Sequence, residues 1–116
     1  MIPMKTIGTR ELEALRENNQ PVEILDIRPR KDFLTGHIEG AHCLPSAEVC
    51  PESILLSRQL LQTEPLYLVS QGGALAQLSA CDLERQGLDN LVVVAGGMHA
   101  WEHNRLPVET GDNVED

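Results

Sequence analysis

The chain has 116 residues, of which 41% are hydrophobic and 3% aromatic, so its length fits one domain with an aliphatic core. Its formal net charge of −9 repels phosphate backbones and anionic lipid, which makes nucleic acid and membrane surfaces poor candidate partners. Three cysteines, without C-x-x-C pairing or zinc-ligand spacing to histidine, predict free thiols and neither a metal nor another cofactor.

The N-terminal half alternates short helices and strands, which prolines separate. Helical spacing of Leu12 and Leu15 predicts a first helix with Thr9 as its N-cap, and Pro21 prevents its continuation. The other elements predicted here are a strand from Val22 that ends at Asp26, helical turns from Pro29 to Leu34, a strand from Ala41 to Leu44 and a helix from Pro51 to Leu61.

The C-terminal half contains two fully apolar runs, Leu66–Val69 and Leu91–Val94, which are typical of parallel strands covered on both faces. Between them we predict a helix from about Ala74 to Gln86, ended by Gly87. Its inward residues are predicted to be Leu75, Leu78, Ala80 or Cys81, and Leu83. The alternation of strands and helices predicts an α/β fold with a mainly parallel sheet over residues 1–108, followed by an acidic flexible tail over residues 109–116.

The loop Ser70-Gln71-Gly72-Gly73 is the most informative candidate site. Ligands of open α/β sheets bind outside the carboxyl ends of the strands, where this loop joins a strand to a helix. Backbone N–H groups of residues 71–75 (Gln71, Gly72, Gly73, Ala74 and Leu75), together with the helix dipole, predict an anion cradle without a cationic side chain. The alternative is an ordinary strand-to-helix turn without a ligand, which a bare Gly-Gly turn would favour.

Two flanking motifs give this loop a context. Leu25-Asp26-Ile27-Arg28-Pro29, then Phe33, Gly36-His37-Ile38-Glu39-Gly40-Ala41 and Leu44-Pro45, resemble the N-terminal signature of rhodanese-like domains. Gly96-Gly97-Met98-His99-Ala100-Trp101 resembles their C-terminal signature. The resemblance covers roughly residues 7–108 and implies a five-stranded, mostly parallel sheet flanked by helices on both faces. It also implies sulfurtransferase chemistry, in which a loop cysteine carries sulfane sulfur as a persulfide.

In this resemblance the catalytic cysteine position falls on Ser70 and the loop glycine on Gly73. The frequent arginine and serine of the family fall on Leu75 and Ala76. A serine hydroxyl is far less acidic than a thiol and cannot store sulfane sulfur as a stable persulfide. We therefore expect a catalytically silent homologue whose loop binds a small anion or a partner's acidic or thiol-bearing group.

Two alternatives remain open. The chain acts as a thiosulfate sulfurtransferase through Cys43 or Cys50, or Ser70 replaces a native loop cysteine by engineering. Phosphatase activity, as in rhodanese-related cell-cycle phosphatases, is a weaker option because both the loop cysteine and the arginine are missing. The accompanying Leu75 and Ala76 favour natural divergence over engineering.

The remaining polar candidates are predicted to be structural. Asp26 and Arg28 should form a charge pair at the pocket edge, and His37 should bond backbone near its turn. The other three histidines lack metal-site spacing, and Trp101 is predicted to anchor the last helix on the sheet. Free thiols, no signal-peptide pattern and no apolar run near the ~18 residues of a membrane span predict a cytoplasmic location.

Overall fold

A five-stranded parallel sheet organises the domain, in a computed structural model that describes residues 5–57 and 64–111. The strands in chain order are β1 (Thr6–Ile7), β2 (Glu23–Asp26), β3 (His37–Ile38), β4 (His42–Cys43), β5 (Leu66–Val69), β6 (Leu91–Val94) and β7 (Val108–Glu109). The sheet order is β1-β6-β5-β2-β4, while β3 and β7 form a separate antiparallel pair. The predicted α/β fold with a five-stranded parallel sheet is confirmed.

Within the described residues, five helices and a 3₁₀ turn connect the strands. They are α1 (Thr9–Glu17), α2 (Arg30–Thr35), the turn Ser46–Glu48, α3 (Pro51–Ser57), α4 (Ala74–Arg85) and α5 (Gly97–His103). The last part of the helix predicted to reach Leu61 lies outside the described residues. Gly8 is the N-cap of helix α1, in place of the predicted Thr9, and its N–H donates to the Glu11 carboxylate (3.0 Å). The Thr9 hydroxyl instead accepts a hydrogen bond from the Asn104 side chain (2.8 Å).

Apolar side chains cover both faces of the sheet because successive strand residues point to opposite sides. One cluster packs Ile24, Tyr67 and Val69 against residues of α1 and α5, including Leu12 and Trp101. The other packs Leu25, Leu66 and Leu68 against Ile54 of α3 and three residues of α4: Ala76, Ala80 and Leu83. The strands are therefore buried, which explains their continuous apolar runs.

The inward face of α4 differs from the prediction. Leu75 is 43% exposed and Leu78 is 68% exposed, so both predictions were wrong, whereas Leu83 is buried as predicted. The buried stripe is Ala76, Ala80 and Leu83, at the i, i+4, i+7 spacing of one helix face. Two alanines on this stripe pack against the sheet, and the larger Leu75 and Leu78 lie on the exposed side of the helix.

The C-terminal segment remains attached to the domain beyond residue 108. Strand β7 pairs Glu109 with His37, and the Gly111 N–H donates to the Leu34 carbonyl (2.8 Å). Residues 109 and 111 therefore bond to the domain, and the division of the chain at residue 108 stays a prediction. Residues 112–116 lie outside the described residues, so the flexibility of the tail stays a prediction.

Candidate functional site

The carboxyl ends of the parallel strands bring the segments that follow β2, β5 and β6 to one edge of the sheet. Ser70 follows β5 and lies beside the segment that follows β2, because the Ile27 N–H donates to the Val69 carbonyl (2.9 Å). On its other side, the Met98 N–H donates to the Ser70 carbonyl (2.9 Å). The loop that begins at Ser70 therefore lies between the segments that follow its two neighbouring strands.

The side chain of Ser70 points into its own loop. The residue is 2% exposed, and its Oγ accepts hydrogen bonds from the N–H groups of Gly73 (3.0 Å) and Ala76 (3.2 Å). The first N–H groups of a helix have no partner within the helix, so this hydroxyl caps α4 from outside it. Among the described residues, no imidazole or carboxylate hydrogen-bonds Ser70 Oγ, so no general base is positioned to activate it.

Other N–H groups of the loop remain available to a ligand. In the described part of the chain, no acceptor bonds the N–H groups of Gly72, Ala74 and Leu75, and all three residues are exposed. Gly73 adopts φ +101°, a left-handed conformation that favours glycine, and it is the N-cap of α4. The twelve-residue helix adds positive potential at this end. The geometry is compatible with the predicted anion cradle, in which the Ser70 hydroxyl already occupies one donor, the Gly73 N–H.

A second glycine turn, Gly96-Gly97, supports the loop from behind. The N–H groups of Met98 and His99 donate to the carbonyls of Ser70 (2.9 Å) and Gln71 (2.8 Å). The direct contact of this turn with the loop was not predicted from the sequence. The only sequence signal was the pair of glycines after an apolar strand, which does not identify a partner.

Asp26 and Arg28 form the predicted charge pair. The carboxylate accepts from Arg28 Nε (3.0 Å) and Nη2 (2.8 Å), and Nη2 also donates to the Gly36 carbonyl (2.7 Å). Both residues are buried, so the two charges are matched inside the protein, while the position of the pair at a pocket edge stays a prediction. These contacts give Arg28 a structural role in joining β2 to the segment before β3.

The three free cysteines differ in environment. Burial and the charge of Asp26 raise the pKa of the Cys43 thiol, which ends β4 beside Asp26. Hydrogen bonds with the Ser53 side chain and backbone lower the pKa of the Cys50 thiol, and the Ser53 N–H lies 3.4 Å from its sulfur. Cys81 is half-buried in α4. Cys50 is therefore the more easily ionised of the two alternative nucleophiles.

The geometry agrees with the predictions for His37 and Trp101. His37 is buried, and its Nδ1 bonds the Phe33 carbonyl (2.7 Å). Trp101 is also buried, and its indole N–H donates to the Pro107 carbonyl (2.8 Å). Within residues 5–57 and 64–111, no group of histidine, cysteine and acidic side chains is arranged to hold a metal ion. Over the same ranges, no helix is both long enough and apolar enough to cross a bilayer.

Comparisons with known proteins support the family resemblance that the sequence motifs predicted. The family model described as "Rhodanese-like domain" matches residues 9–104. The chain is 31% identical to the thiosulfate sulfurtransferase GlpE of Shewanella oneidensis, over 87% of this chain and 95% of that protein. It is 25% identical to the putative sulfur carrier protein YrkF of Bacillus subtilis, but spans only 48% of the length of that protein.

A solved structure gives the same result for the fold. The crystal structure of a rhodanese-like domain protein from Staphylococcus aureus superposes with a TM-score of 0.76 at 32% identity. The match covers 92% of this chain and 100% of that one.

Proposed function

The chain belongs to the rhodanese-like domain family, and we propose that it lacks the persulfide cycle of this family and serves as a binding or regulatory module. Its homologues include thiosulfate sulfurtransferases. In the proposal, Ser70 stands at the position of the catalytic cysteine, and the loop retains the shape of the site without its nucleophile.

One observation carries this proposal: Ser70 Oγ is buried and accepts two backbone N–H groups. A thiolate in this position would be stabilised by the same two donors, which is how a loop lowers a thiol pKa. A hydroxyl in the same position stays protonated near neutral pH. The two N–H groups that would lower the pKa of a thiol at this position therefore only hold the Ser70 side chain in place.

The proposed ligand is a small anion, or an acidic or thiol-bearing group of a partner. The N–H groups of Gly72, Ala74 and Leu75 supply its hydrogen-bond donors, and Gln71 is exposed beside them. Leu75, at 43% exposure, places an apolar side chain in the first turn of α4. Recognition would therefore depend on backbone donors and the helix dipole rather than on a guanidinium.

The lowered pKa of Cys50 favours it in a second candidate function, a sulfurtransferase that uses a cysteine outside the loop. Cys43 is the weaker nucleophile of the two because its pKa is raised. An assay of thiocyanate formation from thiosulfate and cyanide separates the two functions. We expect no activity above a heat-inactivated control for the unaltered chain.

If the unaltered chain forms thiocyanate, then Cys43→Ala, Cys50→Ala and the control Cys81→Ala identify the sulfur carrier. Activity that disappears with either of the first two variants would overturn the proposal.

The binding part is tested separately by titrating the ¹⁵N-labelled chain with sulfate and thiosulfate. We expect saturable shifts confined to the N–H groups of residues 71–75, and linear or scattered shifts would contradict the cradle.

A further inference from the structure

Gly97 lies directly against the backbone of the Ser70 loop. A Cβ at position 97 would overlap the Ser70 carbonyl oxygen and would lie 2.8 Å from that of Gln71, closer than real Cβ atoms come. Gly97 also adopts φ +57°, a conformation that side chains disfavour. A side chain at position 97 is therefore disfavoured both by steric overlap and by the backbone conformation. The overlapping atoms belong to the backbone, so they cannot avoid the contact by adopting another rotamer.

The absence of a side chain at Gly97 allows two hydrogen bonds to form. The N–H groups of Met98 and His99, in the first turn of α5, donate to the Ser70 and Gln71 carbonyls at 2.9 and 2.8 Å. N–H groups in a first helical turn have no acceptor within their own helix. The two loop carbonyls therefore accept hydrogen bonds from N–H groups that have no acceptor within α5. These bonds in turn hold two consecutive peptide groups of the loop in place.

The contact is reciprocal. A Cβ on Gly73 would lie 3.1 Å from the Gly96 nitrogen, so each glycine turn fits against the backbone of the other. Ser70 connects the two sets of bonds, because its carbonyl binds α5 while its Oγ accepts from Gly73 and Ala76. A displacement of the Ser70 peptide would move Oγ away from these donors.

We propose that Gly97 is a positioning residue, which sets the orientation of the Ser70 side chain in the loop through the bonds of Met98 and His99 to the loop carbonyls. The inference rests on the proposed function only in treating this loop as the binding site. It adds the segment after β6 to that site as the support that determines its shape.

Hydrogen exchange of the full chain tests the proposal without a ligand or an activity. In Gly97→Ala we expect the N–H groups of Met98 and His99 to exchange at least about tenfold faster, the order expected for one lost hydrogen bond. The same acceleration should reach Gly73 and Ala76, which bond Ser70 Oγ. Gly87→Ala is the matched control, because Gly87 has φ +101° but no atom within 4 Å of its Cβ position.

A second variant covers the case in which Gly97→Ala does not fold. His99→Pro removes one N–H donor in the first helical turn, where proline is tolerated, and adds no side chain at position 97. Faster exchange at Gly73 and Ala76 in His99→Pro, but not in Gly87→Ala, would support the proposal. Unchanged exchange at Gly73 and Ala76 in a folded variant that has lost the α5 bonds would overturn it.

A chemical readout distinguishes this inference from the proposed function. The thiol pKa of Ser70→Cys, followed by thiolate absorbance, should rise when Gly97→Ala is added, because the loop donors no longer face the sulfur. An unchanged thiol pKa would overturn the positioning role. Absence of ligand binding by the unaltered chain would instead refute only the cradle, because neither readout depends on a ligand.

Discussion

Replacing Ser70 by alanine removes the single acceptor shared by two buried N–H groups. Gly73 and Ala76 both donate to Ser70 Oγ, and both residues are buried. A buried donor left without an acceptor costs about 1–3 kcal/mol, and water entering from the exposed side of the loop recovers part of this cost. We therefore expect Ser70→Ala to lower the free energy of unfolding by about 2–4 kcal/mol, a large part of the ~5–15 kcal/mol typical of a domain.

Urea denaturation measured by circular dichroism gives this difference directly. Ser79→Ala is the matched control, because Ser79 lies on α4, is half-buried and has no side-chain hydrogen bond among the described residues. Its effect should remain within about 0.5 kcal/mol. A loss of less than about 0.5 kcal/mol in Ser70→Ala would refute the role of this hydroxyl as the cap of the loop.

Two further predictions concern the charge pair and the thiols. Arg28→Ala should lower the free energy of unfolding by about 3–5 kcal/mol because it leaves the Asp26 carboxylate buried without its partner. The control Arg85→Ala, which removes an exposed pair, should lower it by less than about 1 kcal/mol. Equal losses for the two variants in urea denaturation would contradict the structural role of Arg28. Cys50 should be alkylated by iodoacetamide at a lower pH than Cys43, because a lowered pKa gives more thiolate at a given pH and a raised pKa gives less. Mass spectrometry of the labelled peptides over a pH series measures this order, and earlier labelling of Cys43 would refute it.

Local patterns in the sequence predicted the main architecture. The apolar runs of β5 and β6 are long enough to identify buried parallel strands. The two-residue strands β1, β3 and β7 were missed because two residues carry no periodicity, and their pairing depends on distant parts of the chain. Asp26 and Arg28 were paired correctly because Asp26 ends β2 and Arg28 follows it by only two residues.

Two other features required the three-dimensional structure. Leu75 and Leu78 fit an inward helical stripe equally well in sequence, but the packing of α4 against the sheet buries Ala76 and Ala80 instead. The contact of Gly97 with the Ser70 and Gln71 carbonyls joins residues more than twenty positions apart. No local pattern specifies such a backbone contact, since a glycine pair after a strand is equally typical of a simple turn.

In the proposed function, the loop has the shape of a sulfurtransferase site and lacks its nucleophile. Thiocyanate formation by the unaltered chain and by Ser70→Cys, measured side by side with thiosulfate and cyanide, tests this claim most directly. In the variant, the thiolate attacks the outer sulfur of thiosulfate, sulfite leaves, and cyanide then removes that sulfur as thiocyanate. We expect no turnover by the unaltered chain and measurable turnover by Ser70→Cys; activity of the unaltered chain, or an inactive but folded Ser70→Cys, would contradict the account.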